Sequence, residues 1–294
     1  GSVRIPATHC GVVGLRPTLG RVSRFGIFPM SWSMDTAGPI TRTVRDCALM
    51  LQVIAGHDPK DPISNQIPVP DYSEGLDGEI KGMRIGYVKE LFDSRNNHAE
   101  IQKAAEHALT VFEGMGASLE EVSIPLTSIA ATIAVTIYEA DGANVHEEVV
   151  KTRADKLDST TRARILTGSL VPAKLYQRAM KARQLLRSQM ARVMRGVEVL
   201  LIPGAANPPP RIADETRTFE GKDDVIQRMF GVRSYTAPHS LAGMPAISIP
   251  CGFTSSNLPI GLQIGGRYFA ESTVLMVAQA FQANTDWHLR KPNI

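Results

Sequence analysis

A chain of 294 residues with 43% hydrophobic and 21% charged residues can bury a large core as one big α/β domain or as two smaller ones. A formal net charge of +3 is too small to mark nucleic acid or an anionic membrane as a partner, and no apolar run approaches the roughly 18 residues of a membrane span. Three widely spaced cysteines, Cys10, Cys47 and Cys251, give neither a C-x-x-C pair nor an even disulfide framework, which fits free thiols in a reducing cytoplasm.

The chain opens on Gly1-Ser2-Val3-Arg4-Ile5-Pro6, a small-residue turn around a serine, with neither the basic nor the apolar region of a signal peptide. A glycine before a serine lets backbone amides approach whatever the hydroxyl attacks, and Pro6 is expected to fix the exit from the turn. Residues 1–42 are dense in Gly, Pro and Arg and read as turns and short strands rather than long helix. A helix is predicted over 43–56, capped by Thr43, with Val44, Cys47, Ala48, Leu51 and Ile54 on one face and Gly56 as its stop. Residues 58–71 form a Pro/Asp-rich surface loop, long enough that it should be packed down. A strand at 83–88, a helix at 98–115 and a strand at 118–123 make a βαβ unit, hence a sheet with helices on its faces.

Helices are predicted over 127–153, 160–168 and 171–195. The last is amphipathic through Leu175, Leu185, Leu186, Met190 and Val193. Its cations, Lys174, Arg178, Lys181, Arg183, Arg187, Arg192 and Arg195, read as a solvated face. Residues 198–203 form a buried strand that runs into a stiff loop ending in Pro208-Pro209-Pro210, a rigid wall for a site. Strands at 245–250 and 261–265 form a hairpin, and a last helix covers 271–284.

The chemistry narrows by elimination. Seven histidines never fall at H-x-x-x-H or H-x-H spacing, so no metal is expected, and no phosphate-binding glycine loop is present. An N-terminal-nucleophile mechanism would need Ser2 in the first position, which Gly1 occupies. A Ser-His-Asp relay has His9 and Asp35 nominally available, in an arrangement that one sequence does not reveal.

Longer stretches carry more. Gly1-Ser2-Val3-Arg4-Ile5-Pro6-Ala7 is followed by Cys10-Gly11-Val12-Val13-Gly14-Leu15-Arg16-Pro17-Thr18, Gly20-Arg21-Val22-Ser23 and Ser33-Met34-Asp35. Then come Gly38-Pro39-Ile40-Thr41-Arg42-Thr43-Val44-Arg45-Asp46 and Asp58-Pro59-Lys60-Asp61-Pro62. Pro68-Val69-Pro70-Asp71-Tyr72, Ala242-Gly243-Met244-Pro245-Ala246-Ile247-Ser248-Ile249-Pro250 and Leu258-Pro259-Ile260-Gly261-Leu262-Gln263 complete the series. In number and order these motifs resemble the amidase signature family, from the second half of its signature onward.

The resemblance implies an α/β fold with a mixed central sheet covered by helices on both faces. Residues 1–294 would be the C-terminal portion of a single domain, with the N-terminal part missing. A sheet short of its first strands is expected to expose apolar surface and open edges, and to aggregate. The family hydrolyses amides through a Ser–cis-Ser–Lys triad and an acyl-enzyme, without a cofactor. Ser2 matches the nucleophile. The bridging serine, the lysine and most oxyanion-hole amides belong upstream, leaving the amides around Gly1 and Ser2. Arg4 matches an arginine that ties down the nucleophile loop by ion pairing, with a carboxylate partner that also belongs upstream and leaves Arg4 unpaired here, and Asp35 is a supporting motif residue.

Within the family, the glutamine-hydrolysing component of tRNA amidotransferases is the main competitor to a general amidase. Its glutamine pocket uses an Asp ahead of a segment resembling Thr236-Ala237-Pro238-His239-Ser240-Leu241-Ala242-Gly243-Met244-Pro245, and the position matching that Asp is Arg233. A cation there disfavours glutamine and could instead meet an anionic substrate. Ile202-Pro203-Gly204 implies a more apolar, roomier pocket wall. The expectation is therefore an amidase for small aliphatic or aryl amides, with Ile202, Gly204 and Arg233 in the substrate pocket. The alternatives are a non-catalytic fragment or subunit of an amidase-like protein, and the glutamine-hydrolysing component of an amidotransferase. A small-molecule amide is the expected partner, cytoplasm the location, and a homodimer is compatible with the sequence.

Overall fold

The computed structural model describes residues 1–211 and 235–292. Its first element is one that the turn-rich sequence did not announce: helix α1, Arg4–Cys10, begins two residues after Ser2. Pro6 stands in its first turn, where a missing N–H costs nothing, so this proline helps start a helix instead of closing a turn. Gly11 ends it in the left-handed region, φ 65°, with its N–H donated to the Ala7 carbonyl.

Strands β1 (Val13–Arg16) and β2 (Ile40–Thr41) follow, then α2 (Val44–Ile54), whose Thr43 hydroxyl accepts the Asp46 N–H as the sequence predicts. Strand β3 (Arg84–Val88), the short α3 (Lys89–Phe92), α4 (Ala99–Gly114) and β4 (Ser118–Val122) come next, and β3 pairs with β4 in parallel. That is the expected βαβ unit. The helical middle comprises α5 (Ala130–Val145), α6 (Glu147–Arg153), α7 (Ser159–Ser169) and α8 (Ala173–Val193). Strand β5 (Val199–Pro203), helix α9 (Ala237–Ala242), the hairpin β6 (Ala246–Phe253) and β7 (Pro259–Gly265), and α10 (Glu271–Ala283) complete the described elements.

The strands form one mixed seven-stranded sheet in the order β2-β1-β6-β7-β5-β3-β4. Neighbours from β2 through β5 run antiparallel, and β5, β3 and β4 run parallel. Strand β5 shows why both faces must be covered, since all five of its residues are buried. Val199 and Leu201 point into one core with Ile247, Ile249, Leu262 and Ile264, closed by α2, α4 and α10. Leu200 and Ile202 point the other way, into a core with Ile133, Ile137, Leu186, Met190 and Leu241 from α5, α8 and α9. The two-residue β2 is a sheet edge, and Ile40 together with Leu49, Met50 and Val53 of the neighbouring α2 is exposed.

Helix α8 departs from its predicted faces. Leu186 and Met190 are fully buried, but Leu175 and Leu185 are exposed, whereas Arg183 is buried at 5% exposure. Its Nε donates to the Leu241 carbonyl at 2.8 Å, and Nη1 and Nη2 reach the hydroxyl and carbonyl of Ser33, both at 2.8 Å. A cation assigned to a solvated face thus clamps α8 to α9 and to the loop ahead of β2. No helix among the described residues is long and apolar enough to cross a membrane.

Helix α1 lies directly on β1, β6 and β7, with the Thr8 and Ser248 hydroxyls 2.6 Å apart. The approach demands glycine in the strand beneath, because a Cβ on Gly14 would sit 2.6 Å from the Ala7 Cβ and 2.9 Å from the Val3 carbonyl oxygen. Gly14→Ala is expected to lower unfolding free energy by about 1–3 kcal/mol, the usual cost of overpacking, measured by urea denaturation. Retention of wild-type stability would show that α1 does not rest on this contact.

Candidate active site

Ser2 is exposed at the head of α1, where the Gly1 carbonyl accepts the Ile5 N–H at 2.8 Å and starts the helix. It lines a cleft of about 730 Å³ whose wall also includes Gly1, Arg4, Arg16, Arg24, Asp35, Tyr138, Arg164 and Thr236. The wall comes from α1, from the end of β1, from the loop between β1 and β2, from α5 and α7, and from α9 with the residue before it.

Arg4 points away from solvent, at 1% exposure. Nη1 donates to Gln263 Oε1 at 2.7 Å, and Nη2 donates to the Thr236 carbonyl at 2.7 Å and to Ser240 Oγ at 2.8 Å. Gln263 in turn donates from Nε2 to the Pro203 and Tyr235 carbonyls, at 3.1 and 2.9 Å. No carboxylate pairs with Arg4 among the described residues, and neutral acceptors hold the guanidinium. Burial, with the nearby Arg16 cation, pushes its pKa well below the usual arginine value. Arg4 therefore ties α1 to β7 and α9, and through Gln263 to β5.

Asp35 lines the cleft and folds its own loop. Its Oδ2 accepts the Met30 and Ser31 N–H groups at 2.7 and 2.9 Å. The Ser31 hydroxyl donates to Asp141 Oδ2 at 2.5 Å, which docks the loop on α5. The loop over residues 58–64 braces the same wall: the Arg24 Nη1 donates to the Trp32 carbonyl at 2.6 Å while its backbone N–H donates to Asp61 at 2.9 Å. On the far wall Arg164 Nε pairs with Glu139 at 2.8 Å, and its guanidinium lies over the Tyr138 ring at 5.4 Å.

Other candidates fall elsewhere. His9 is two turns along α1 from Ser2, roughly 10 Å by helix rise, and does not line the cleft, so no Ser2-His9-Asp35 relay forms. Ile202 is fully buried in the apolar core beneath α5 and α8, and Gly204 packs where a Cβ would meet the Gly261 carbonyl and Thr8. Neither lines this cleft, whose wall sets Arg16, Arg24 and Arg164 among apolar side chains that include Val3, Ile5, Ile27, Phe28, Met30 and Met34. Arg233 lies outside the described residues. Arg16 stands inside a motif of the sequence, whereas no local pattern marks Arg164, whose partner Glu139 is 25 residues away. Among the described residues no cluster of His, Cys, Asp and Glu side chains is placed to hold a metal.

The family model Amidase matches residues 1–275, and the chain belongs to the amidase signature family. Among curated relatives, a glutamyl-tRNA(Gln) amidotransferase subunit of Geobacter metallireducens is 37% identical over 318 residues, covering 100% of this chain and 64% of the relative. Its counterpart in Geotalea daltonii is 39% identical, covering 99% of this chain and 63% of the relative. The chain thus spans less than two thirds of the length of the curated relatives it matches. Among solved structures, the corresponding amidotransferase subunit from Thermotoga maritima superposes with a TM-score of 0.81 at 32% identity, over 97% of this chain and 60% of that one. A protein from a vestigial complex, used to trace the origins of an s-triazine catabolic enzyme, gives 0.85 at 29% identity, over 96% and 61%.

His239 of α9 lies beneath the site, fully buried, with both ring nitrogens lacking hydrogen-bond partners among the described residues. Burial, then the Arg4 and Arg16 cations, pull its pKa down to about 3. The unfolded chain binds this proton near pH 6.5 and the folded chain does not, so stability falls as pH drops from about 6.5 towards 3, by about 1.4 kcal/mol per pH unit. Replacing it, as His239→Asn, is expected to flatten the pH dependence of urea unfolding between pH 6.5 and 4 by about that slope. An unaltered slope in the variant would show that His239 is not the titrating group.

Proposed function

We propose that Ser2 is the nucleophile of a carbon–nitrogen hydrolase and that the amide it opens is that of glutamine, in an enzyme resembling the glutamyl-tRNA(Gln) amidotransferases. The observation that carries the hydrolase reading is Ser2 itself: exposed, on a helix start fixed by a buried arginine, in the wall of the cleft. Glutamine is supported by 37–39% identity to amidotransferase subunits along essentially the whole chain and by a wall that presents arginines and Asp35 to a polar substrate. Arg233 lies outside the described residues, and the apolar side chains of the wall, Ile5, Ile27, Phe28 and Met30 among them, stand beside arginines that a polar substrate can meet.

In this reading the Ser2 hydroxyl gives its proton to the bridging serine and lysine that the family carries upstream of this motif, and Oγ attacks the amide carbon. The tetrahedral oxyanion gathers at backbone N–H groups around Gly1 and Ser2, where one donor is worth about 2.7–4 kcal/mol. The carbon–nitrogen bond breaks as the amine takes a proton, and water then releases the acid from the acyl-serine. Other subunits of an amidotransferase follow from this reading as partners, in place of a homodimer.

The test is ammonia release from glutamine by the full-length protein, with a neutral anilide in parallel. Ser2→Ala is expected to reduce turnover by about 10⁴-fold or more, as for other serine nucleophiles. Turnover of the anilide alone would return the assignment to a free-standing amidase, and undiminished activity in Ser2→Ala would remove Ser2 from the mechanism.

A further inference from the structure

Strand β7 carries an amide where a strand buried on both faces calls for an apolar side chain. Leu262 and Ile264 point into the core closed by α2, α4 and α10. On the opposite face, under α1 and α9, the strand reads Gly261, Gln263 and Gly265. The two glycines leave room for side chains from above, Thr8 over Gly261 and His239 over Gly265. Between them Gln263 rises from the strand, fully buried and away from the wall of the cleft.

Its hydrogen bonds divide by atom. Oε1 accepts from Arg4 Nη1 at 2.7 Å, while Nε2 donates to the Pro203 carbonyl at 3.1 Å and to the Tyr235 carbonyl at 2.9 Å. Both amide protons and one side of the oxygen are therefore in use. The partners come from three separate pieces of the chain. Arg4 is two residues beyond Ser2, Pro203 ends β5, and Tyr235 precedes Thr236, which lines the cleft. The Thr236 carbonyl in turn accepts from Arg4 Nη2 at 2.7 Å, so the guanidinium is held on two sides. A buried amide that meets its partners in this way fixes one arrangement of those pieces, because any displacement leaves polar groups unpaired.

We infer that Gln263 is a positioning residue for the nucleophile: its amide sets the direction of the Arg4 guanidinium, and with it the seat of α1 and the placement of Ser2. The inference rests on the hydrolase reading of Ser2. Acceptance by Oε1 is the operative contact, and the two donations hold the amide the right way round. An inverted amide would set an N–H against the Arg4 donor and an oxygen against two carbonyls. Gln263 lies outside the cleft wall, so its loss acts on the rate of attack and not on substrate binding.

The experiment follows Ser2 directly, in the full-length protein. Gln263→Glu keeps an acceptor for Arg4, Gln263→Leu keeps the size and loses the acceptor, and Gln263→Asn stops one methylene short. Each is treated with a fluorophosphonate, which bonds phosphorus to the serine oxygen as fluoride and the hydroxyl proton leave. Label at Ser2 is timed by peptide mass spectrometry. The kcat and KM for glutamine and for the anilide are measured alongside, well below each melting transition.

Gln263→Leu and Gln263→Asn are expected to slow labelling and kcat by about 10- to 100-fold, the effect of a small misplacement of the attacking atom, with KM nearly unchanged. Gln263→Glu keeps the larger part of both rates. Gln263→Asn carries the comparison where Gln263→Leu does not fold. A merely structural role lowers the melting temperature and leaves labelling of the folded protein at the wild-type rate, which overturns the inference. Loss of activity through KM overturns it too, as does Gln263→Glu being as slow as Gln263→Leu. Wild-type Ser2 taking no label removes the hydrolase reading and the inference together, whereas one labelling rate in wild type and all variants removes Gln263 alone.

Discussion

The contact on which the site depends is the burial of Arg4. Helix α1 is only seven residues long, too short to stand by its own hydrogen bonds. Its position, and with it that of Ser2, must come from outside. Arg4 supplies it through three short hydrogen bonds to β7 and to α9 with its flank. Bonds to a charged group are worth about 1.5–3 kcal/mol each, but only net of a large desolvation cost. Such a group does little for total stability. It makes one arrangement of α1, β7 and α9 far better than any displaced one, because a small shift would leave a buried cation unsatisfied.

This anchoring needs a sheet surface thin enough to receive a helix at contact distance. Gly14 in β1 and Gly261 in β7 provide it, lying under Ala7 and Thr8, and Gly265 makes the same room for His239 of α9. The two short helices therefore sit on bare backbone. Polar side chains, Thr8 with Ser248 and Arg4 with Gln263, then take the place of interlocking apolar ones. A network of this kind is rigid when every member is satisfied and costly when one is not. His239, buried without a partner among the described residues and beside two arginines, is its least satisfied member.

The sequence made the frame legible because strands and long helices carry their evidence locally. The buried strand β5, the Thr43 cap of α2 and the β3–α4–β4 unit all stand close to where they were expected, since periodicity and capping act over a few residues. What escaped was burial of charge. Arg183 looks like a surface cation from its neighbours, and its acceptors lie 58 and 150 residues away; those of Arg4 lie as far as 259 residues away. The same non-locality misplaced Ile202 and Gly204. Standing close together at the end of β5 says nothing about which side of the sheet faces the cleft. The family motif located Ser2, but it did not say that a helix would begin there.

The charged wall and the α1 support are parts of one electrostatic arrangement. Asp35 shapes the loop that presents its own backbone carbonyls and hydroxyls to Arg16 and Arg183, so one carboxylate orders the acceptors of two cations. The serine at the edge of this cluster sits in a field of buried positive charge, which favours negative charge wherever it develops nearby. An oxyanion forming beside Gly1 and an anionic group on the substrate would both be drawn to the same floor. With Ser2 as the nucleophile proposed above, binding and chemistry would converge on the guanidinium groups that also hold the fold together, and specificity would follow the packing of α1.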